Sequence, residues 1–263
     1  MGKRRLDTLL AERGLFESRS RAAAAVIAGD VRVAGRPATK PGEMVTDEAD
    51  VAVAEAPPYV SRGGVKLANA LDAFGIDPAG RRALDVGAST GGFTDVLLQR
   101  GAASVIALDV AYGELHWKLR NDDRVIVVER RNARQVEPGE LPYEPDLIVA
   151  DLSFISLTKV LPAIVGVAAP RFDLLAMVKP QFEVGRERVG KGGVVRSPED
   201  RRAALVDVAG FARGELGLSV LGFASSGLPG PAGNRETFAW LAEPGRPDAV
   251  EDLEAAALRA EPS

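Results

Sequence analysis

The sequence predicts an α/β fold with a mostly parallel sheet of seven strands, preceded by a small α/β module. From residue 82 onward, short apolar segments alternate with helical patterns, as expected when helices cover both faces of a parallel sheet. A glycine-rich turn separates the first of these strands from the next helix. Residues 1–40 carry nine basic and four acidic side chains, whereas the remainder carries 24 and 33. This asymmetry indicates a separate N-terminal module that meets a polyanion.

Composition excludes several classes of chemistry. The 263 residues include no cysteine, which excludes disulfides, thiolate metal sites and a cysteine nucleophile. The only histidine, His116, argues against a histidine metal site or a Ser-His dyad, so no metal is expected. The sequence has no run of about 18 apolar residues, and its first residues lack the apolar core of a signal peptide. We therefore expect a cytoplasmic protein without a membrane segment.

The N-terminal module should contain two short helices followed by short strands. Leucines at helical spacing mark the first helix, and a glycine ends each helix. The predicted ranges are 5–13 and 19–28 for the helices, and 31–33 and 51–53 for two strands.

A family pattern covers nearly all of this module. The run R-L-D-x-L-L-x-x-x-G-L-x-x-S-R-x-x-A, then G-D-V-R-V-x-G and K-P-G, resembles the RNA-binding module named after ribosomal protein S-four. The resemblance implies a domain over residues 1–54 that recognises the shape and charge of folded RNA. The residues assigned to RNA backbone contact are Arg4, Arg5, Arg19, Arg21 and Lys40. A proline-containing linker, residues 55–58, leads to a second domain, residues 59–263.

The second domain should open with a helix that ends at Gly75. Lys66 falls between the apolar positions of this helix, so periodicity alone predicts a solvated side chain. The predicted strands are 82–86, 104–109, 125–128, 146–150 and 173–178, and the clearest helices are 90–100, 157–168 and 198–214. Two final strands, 218–224 and 236–241, are joined without a helix, which predicts one antiparallel strand. A peripheral helix is expected within residues 244–263.

The glycine-rich turn, residues 87–92, indicates a nucleotide-type ligand. Glycines let the backbone approach a ligand, and the helix N-terminus after them offers free N–H groups. Its spacing, G-x-x-x-G-G, is neither the dinucleotide fingerprint nor the phosphate loop. Asp85 precedes the turn and Asp109 ends the next strand, roughly the 20-residue separation at which a carboxylate reaches a ribose. A ribose and an amino group without a phosphate suggest S-adenosylmethionine. A corner packed with glycine is the alternative.

Polar residues follow several predicted strands and narrow the choice of methyl acceptor. Enzymes that methylate exocyclic amines commonly place Asn/Asp-Pro-Pro-Tyr/Phe after strand four, where this chain has Asp-Leu-Ser-Phe. Methylation of a pyrimidine carbon commonly needs a cysteine. An oxygen acceptor remains, and a ribose 2′-hydroxyl, with its high pKa, needs a nearby base or cation. A lysine with a lowered pKa can serve.

A second resemblance covers the rest of the chain. The segments Ser-Arg-Gly-Gly-Val-Lys-Leu and Asp-Val-Gly-Ala-Ser-Thr-Gly-Gly-Phe, with later Asp, Lys and Glu residues, resemble the FtsJ-type ribose 2′-O-methyltransferases and their Lys-Asp-Lys-Glu tetrad. With the N-terminal module, the whole chain is similar to the TlyA family. The resemblance implies a Rossmann-like methyltransferase that uses S-adenosylmethionine to methylate cytidine in ribosomal RNA of the small or large subunit, or both.

The resemblance also assigns residues to roles. The matching tetrad is Lys66, Asp151, Lys179 and Glu236. Lys179 is implied as the base or activating cation, Asp151 orients it, and the other two tune and position. The cofactor-binding residues, including Asn132 near the adenine, are Ser61, Gly63, Asp85, Gly87, Ser89, Thr90, Gly91, Gly92, Phe93, Asp109, Asn132 and Asp151.

Three other functions compete with this interpretation. Members of the same family are often labelled hemolysins, which would make the protein membrane-active. An RNA-binding protein with an inactive methyltransferase fold is a second alternative, and the intact tetrad and turn oppose it. A small-molecule O-methyltransferase is the third, and the basic N-terminal module opposes it.

Overall fold

The structure is a computed structural model that describes residues 2–54 and 57–261. The chain divides into two compact units between Pro57 and Pro58. Residues 55 and 56 of the predicted linker lie outside the described residues, as do residues 1, 262 and 263 of the two predicted domains. Within the two described ranges, no helix combines the length and the apolar composition needed to cross a membrane.

The N-terminal unit packs two helices against short strands. Its helices are α1 (Leu6–Glu12) and α2 (Arg19–Ala28), and its strands are β1 (Lys3–Arg5), β2 (Val31–Val33), β3 (Arg36–Pro37), β4 (Met44–Thr46) and β5 (Val51–Val53). Strand β1 pairs antiparallel with β4, and β2 pairs antiparallel with both β3 and β5. Leu6, Leu10 and Val26 are fully buried between the helices and strands. Strands β1, β3 and β4 were not predicted, because they lack the valines at alternate positions that indicate β2 and β5.

The second unit holds the seven-stranded sheet. Its helices are α3 (Arg62–Phe74), α4 (Gly92–Gln99), α5 (Trp117–Arg120), α6 (Leu161–Gly166), α7 (Pro180–Glu183), α8 (Pro198–Leu216) and α9 (Leu253–Ala260). Its strands are β6 (Arg82–Val86), β7 (Ser104–Leu108), β8 (Val125–Val128), β9 (Leu147–Ala150), β10 (Asp173–Val178), β11 (Ser219–Ser225) and β12 (Thr237–Ala242).

The strand order in this sheet is β11-β12-β10-β9-β6-β7-β8. Strand β12 is antiparallel to both of its neighbours, and the pairs from β10 to β8 are parallel. The predicted fold class is confirmed, including the single antiparallel strand. Apolar side chains cover both faces: Leu67 and Phe93, from α3 and α4, lie on one side, and Leu161 and Leu205, from α6 and α8, lie on the other. The carboxyl ends of the central strands therefore meet at one edge of the sheet, where ligands bind in such folds.

Two predicted helices differ in extent from those observed. The range 157–168 contains a short 3-10 helix, Leu157–Lys159, followed by α6. Pro162 lies in the first turn of α6, and its ring cannot follow a continuous helix because it would clash with the preceding turn. Helix α4 begins at Gly92 and not at residue 90, because Gly91 has φ +93° and cannot be helical. The expected C-terminal helix is α9, capped by Asp252, which accepts from Ala255 N at 3.0 Å.

Candidate active site

A cleft opens at the carboxyl ends of β6, β9 and β10. It consists of two adjoining cavities of about 450 Å³ and 470 Å³ that share Gly87, Ser89, Asp151 and Ser153. The first cavity is bounded by the N-terminal ends of α3 and α4 and by the loop before β12. The second lies beside the ends of β7 and β8. The four residues of the predicted tetrad all line the first cavity.

The tetrad forms two lysine–carboxylate pairs. Lys66 donates to Glu236 Oε2, and both residues are buried, at 7% and 2% exposure. Lys179 Nζ lies 2.5 Å from Asp151 Oδ1 and donates to Ser153 Oγ at 3.0 Å. Residues separated by up to 170 positions in the chain therefore meet in one cavity.

The prediction from periodicity that Lys66 is solvated is wrong. Periodicity predicted a solvated side chain, whereas the ammonium group is buried against Glu236. A buried ion pair is tolerated only when both partners are present, and removal of one costs about 3–5 kcal/mol. The backbone at Gly230 also packs closely against this carboxylate, because a Cβ added there would lie 2.5 Å from Glu236 Oε1. Any side chain at this position would therefore disturb the buried pair.

The second pair is more accessible than the first. Lys179 Nζ is held against Asp151 Oδ1, a buried atom, whereas the Asp151 side chain as a whole is 25% exposed. The Asp151 carboxylate is therefore partly open to the cavities that it lines.

The glycine turn requires its glycines for packing as well as for ligand access. Gly87 has φ +86°, and a Cβ there would lie 2.4 Å from the backbone oxygen of Asp151. A Cβ on Gly92 would lie 2.2 Å from Ser61 Oγ. These close approaches bring α3, α4 and the end of β9 around the first cavity. The alternative of a corner packed with glycine is thus partly correct, and it coexists with an open cavity at the same turn.

Asp109 lines the second cavity and is fixed by backbone donors. Its Oδ2 accepts from Ser89 N at 2.7 Å, and its Oδ1 accepts from Ala111 N at 2.8 Å. Asn132 lines the same cavity, and its Oδ1 accepts from Arg134 N at 3.1 Å. The cavity therefore presents a carboxylate and a carboxamide beside apolar side chains. The other predicted cofactor residues in the first cavity are Ser61, Gly63, Gly87, Ser89, Thr90, Gly92 and Phe93.

Two predicted cofactor residues line neither cavity. Asp85 is 0% exposed and accepts from Thr94 N at 2.9 Å and from Thr94 Oγ1 at 2.7 Å. Burial, together with the charges of Asp151 and Asp109, raises the pKa of Asp85 to about 7. Gly91 faces away from the cleft, since a Cβ there would lie 2.3 Å from Leu119 Cδ1. Both residues act behind the turn: Asp85 fastens α4 to β6, and Gly91 makes room for an apolar neighbour.

Several lining residues were not predicted. Ser153 bonds Lys179 and lies within the Asp-Leu-Ser-Phe segment, which was quoted as a whole without selecting the serine. Pro229 and Pro231 line the first cavity from the loop before β12. A Gly/Pro-rich loop has no periodicity, so only its position shortly before Glu236 in the sequence could have indicated it.

The RNA-contact residues are mostly paired within the N-terminal unit. Arg5 binds Asp7 through two hydrogen bonds of 3.1 and 2.7 Å, and Arg19 Nε lies 3.2 Å from the same carboxylate. These guanidinium groups, Arg5 foremost, hold the pKa of the buried Asp7 carboxyl well below its usual range. Arg4 pairs with Glu12 and Asp47.

The other two predicted contacts are more accessible. Arg21 Nε is 3.4 Å from Glu17, and both side chains are more than 70% exposed. Lys40 is exposed, and it has no carboxylate within 4.0 Å in the part of the chain that the structure describes. Arg32 and Arg36, which were not predicted, are also exposed and without such a partner among the described residues.

Comparisons with known proteins agree with both units. The model of the FtsJ-like methyltransferase family matches residues 59–243, and that of the S4 domain matches residues 4–51. The chain is 54% identical over 239 residues to the 16S/23S rRNA (cytidine-2′-O)-methyltransferase TlyA of Mycobacterium tuberculosis, covering 90% of this chain and 89% of that protein.

Two further relatives extend the likeness. The chain is 42% identical to a Bacillus subtilis protein provisionally named the rRNA methyltransferase YqxC. The match covers 95% of this chain and 90% of that protein. A solved structure of a Streptococcus thermophilus protein, provisionally named a hemolysin, superposes with a TM-score of 0.74 at 41% identity, covering 99% and 96% of the two chains. By the family match over most of its length and by these identities, the chain belongs to the TlyA family of FtsJ-like methyltransferases.

Proposed function

We propose that this protein transfers a methyl group from S-adenosylmethionine to the ribose 2′-oxygen of a cytidine in ribosomal RNA. The observation that carries the proposal is the convergence of Lys66, Asp151, Lys179 and Glu236 on one cavity beside the glycine turn. The name of the Mycobacterium tuberculosis relative supports the choice of base, sugar position and RNA. Acceptors in the small subunit, the large subunit or both are compatible with that name.

The cleft fits the methyl donor in its two parts. Asp109 would hold the ribose diol with its carboxylate, and Asn132 would lie by the adenine in the second cavity. The glycine turn and Ser61 would surround the methionine portion in the first cavity. Asp151 lines both cavities, so its carboxylate would lie where the two parts of the donor join. When bound, the donor supplies an electrophilic methyl group on a sulfonium.

Lys179 is placed to activate the acceptor oxygen. Asp151 and Ser153 hold its ammonium group at the cavity wall, so its position does not depend on the substrate. It acts on the 2′-hydroxyl either as a base in its neutral form or as a cation that stabilises the developing alkoxide. The pair formed by Lys66 and Glu236 lines the same cavity and would position the ribose. Alignment of the acceptor oxygen with the methyl group and sulfur of the donor would supply much of the rate.

The N-terminal unit supplies RNA affinity. S4 domains and surface cations bind phosphates, and this unit exposes Arg21, Arg32, Arg36 and Lys40. Phosphate contacts position an RNA but do not read its sequence, so the choice of nucleotide must come from RNA shape and from the cleft.

The test is methyl transfer to purified ribosomal subunits and ribosomal RNA, using donor with a labelled methyl group. We expect label on a ribose 2′-oxygen of a cytidine, located by its resistance to alkaline cleavage. An otherwise identical RNA with 2′-deoxycytidine at that position should accept no label. Label on a base, or equal transfer to the deoxy substrate, would contradict the proposal.

A further inference from the structure

A second cluster of basic side chains lies in the methyltransferase unit. Residues 186–196, here called the basic loop, read Arg-Glu-Arg-Val-Gly-Lys-Gly-Gly-Val-Val-Arg. The loop carries four basic side chains and one acidic, a net charge of +3 in a chain of net charge −4. This concentration of positive charge opposes the acidic character of the rest of the unit.

Most of this charge is not neutralised by the residues that the structure describes. Arg186, Lys191 and Arg196 are exposed, and none has a carboxylate within 4.0 Å in residues 2–54 and 57–261. Arg188 is different, because Asp200 lies 3.6 Å away. The three remaining cations point to an anionic partner outside the chain.

The backbone of the basic loop is fixed in place. Asn234, which is 2% exposed, accepts from Val195 N at 2.9 Å and donates to Gly193 O at 2.8 Å. The buried Arg201 donates to Arg196 O at 2.7 Å. A bridge between Gly190 and Val194 closes the tip. The cations are therefore presented on an ordered backbone, which lowers the entropic cost of binding a partner.

The same tethers place the loop next to the cleft. It follows Lys179 closely in the chain, with only α7 and two residues between them. Asn234 lies two residues before Glu236, and its carbonyl accepts from Gly230 N at 2.8 Å. The residues on either side of Gly230 line the cavity that holds the tetrad. The basic loop thus shares its support with the wall of the active site.

We propose that the basic loop is a second RNA-backbone contact surface, which binds phosphates next to the nucleotide held in the cleft. The inference rests on the proposed function, since it requires an RNA substrate. Phosphate is the ligand that fits, because three exposed cations without an aromatic residue among them can bind a polyanion but cannot stack bases. The S4 domain, residues 4–51, provides one RNA contact, and the basic loop provides a second one beside the active-site cleft.

The experiment uses the variant R186A/K191A, because neither side chain makes a hydrogen bond or ion pair with the described residues. The control is R82A/R171A, which removes two exposed charges at the amino ends of β6 and β10, where Arg82 lies over the Tyr143 ring and Arg171 lies 3.9 Å from Glu243. Steady-state methylation of ribosomal RNA is measured from 50 to 200 mM salt. We expect the variant to raise KM for RNA about tenfold with kcat little changed, and to lower the salt slope by about 0.7 for each phosphate that the protein no longer neutralises. The control should match the wild-type protein.

Two outcomes separate this inference from the proposed function. A wild-type KM and salt slope in R186A/K191A would overturn the role of the basic loop, even if the enzyme methylates RNA as proposed. A wild-type protein that transfers no methyl group to RNA would instead overturn the proposed function. Calorimetry with S-adenosylmethionine should give equal affinity for both variants, which shows that each still folds.

Discussion

The cleft and the N-terminal unit contain the same kinds of charged residues at very different exposures. The side chains of Lys66 and Lys179 are 9% and 11% exposed, whereas those of Arg4 and Arg21 are 42% and 72% exposed. Exposed ion pairs contribute about 0–1 kcal/mol and exchange partners easily. Buried pairs are fixed, and loss of one partner is costly. A lysine in the cleft should therefore control chemistry or folding, while a cation on the N-terminal unit should adjust affinity.

The largest effect should follow from the substitution K179A. Removal of a group that activates the acceptor oxygen costs about 10²–10⁴ in rate. Lys179 does not line the cavity that contains the predicted ribose and adenine contacts, Asp109 and Asn132, so S-adenosylmethionine affinity should change much less than the rate. Single-turnover methylation and calorimetry measure the two quantities. The control is K159A, at an exposed lysine that lines neither cavity of the cleft. Normal turnover by K179A would remove Lys179 from the mechanism.

The substitution K66M should show the structural side of a buried pair. It leaves Glu236 charged and buried without its partner, so the free energy of unfolding should fall by about 3–5 kcal/mol. The double variant K66M/E236L should recover much of this stability but not the activity. Urea denaturation of the three proteins measures the difference. Equal stability of K66M and the wild-type protein would show that solvent reaches the pair.

Asp85 should make the stability of the protein depend on pH. Its pKa in the folded protein, about 7, lies above the ordinary value of 3.8 because burial disfavours the charge. The folded state therefore retains the proton longer than the unfolded state. Its contribution is full below pH 4 and is lost as the pH rises towards 7. The stability of the wild-type protein minus that of D85N should decline over this window, as measured by denaturation at each pH. A difference that rises with pH would contradict this sign.

Strand ends led sequence reasoning to several residues that line the cleft, but they did not show which residues near the turn are buried behind it. Asp109 and Asn132 follow apolar strands, and the topology of a parallel sheet brings such residues to one edge. Asp85 precedes the turn in the chain, but its side chain points behind the turn towards Thr94. The spacing of two acids cannot distinguish a ligand contact from a buried anchor.

For Lys66 the error is the reverse, because periodicity predicted a solvated residue and the structure places it in the cavity. Helical periodicity describes which face of α3 is apolar, but Lys66 packs against Glu236, which lies just before β12 and 170 residues later in the chain. Only the family resemblance brought these two residues together before the structure did. The basic loop escaped attention for a related reason, because its support from Asn234 and Arg201 is a tertiary contact.

The smallest effect, and the finest test of the comparison, concerns two cations of the N-terminal unit. Lys40 has no carboxylate partner among the described residues, whereas Arg4 pairs with Glu12 and Asp47. K40A should weaken RNA binding a few-fold and lower the salt slope by about 0.7–0.9, because it removes one whole phosphate contact. R4A should lower the slope less, since the arginine must release its carboxylates before it binds a phosphate and much of its charge is already compensated. Equilibrium binding to ribosomal RNA over a range of salt measures both slopes. A larger decrease for R4A would mean that Arg4 leaves Glu12 and Asp47 when RNA binds. The exposure of a basic side chain in the free protein would then not predict its contribution to RNA binding.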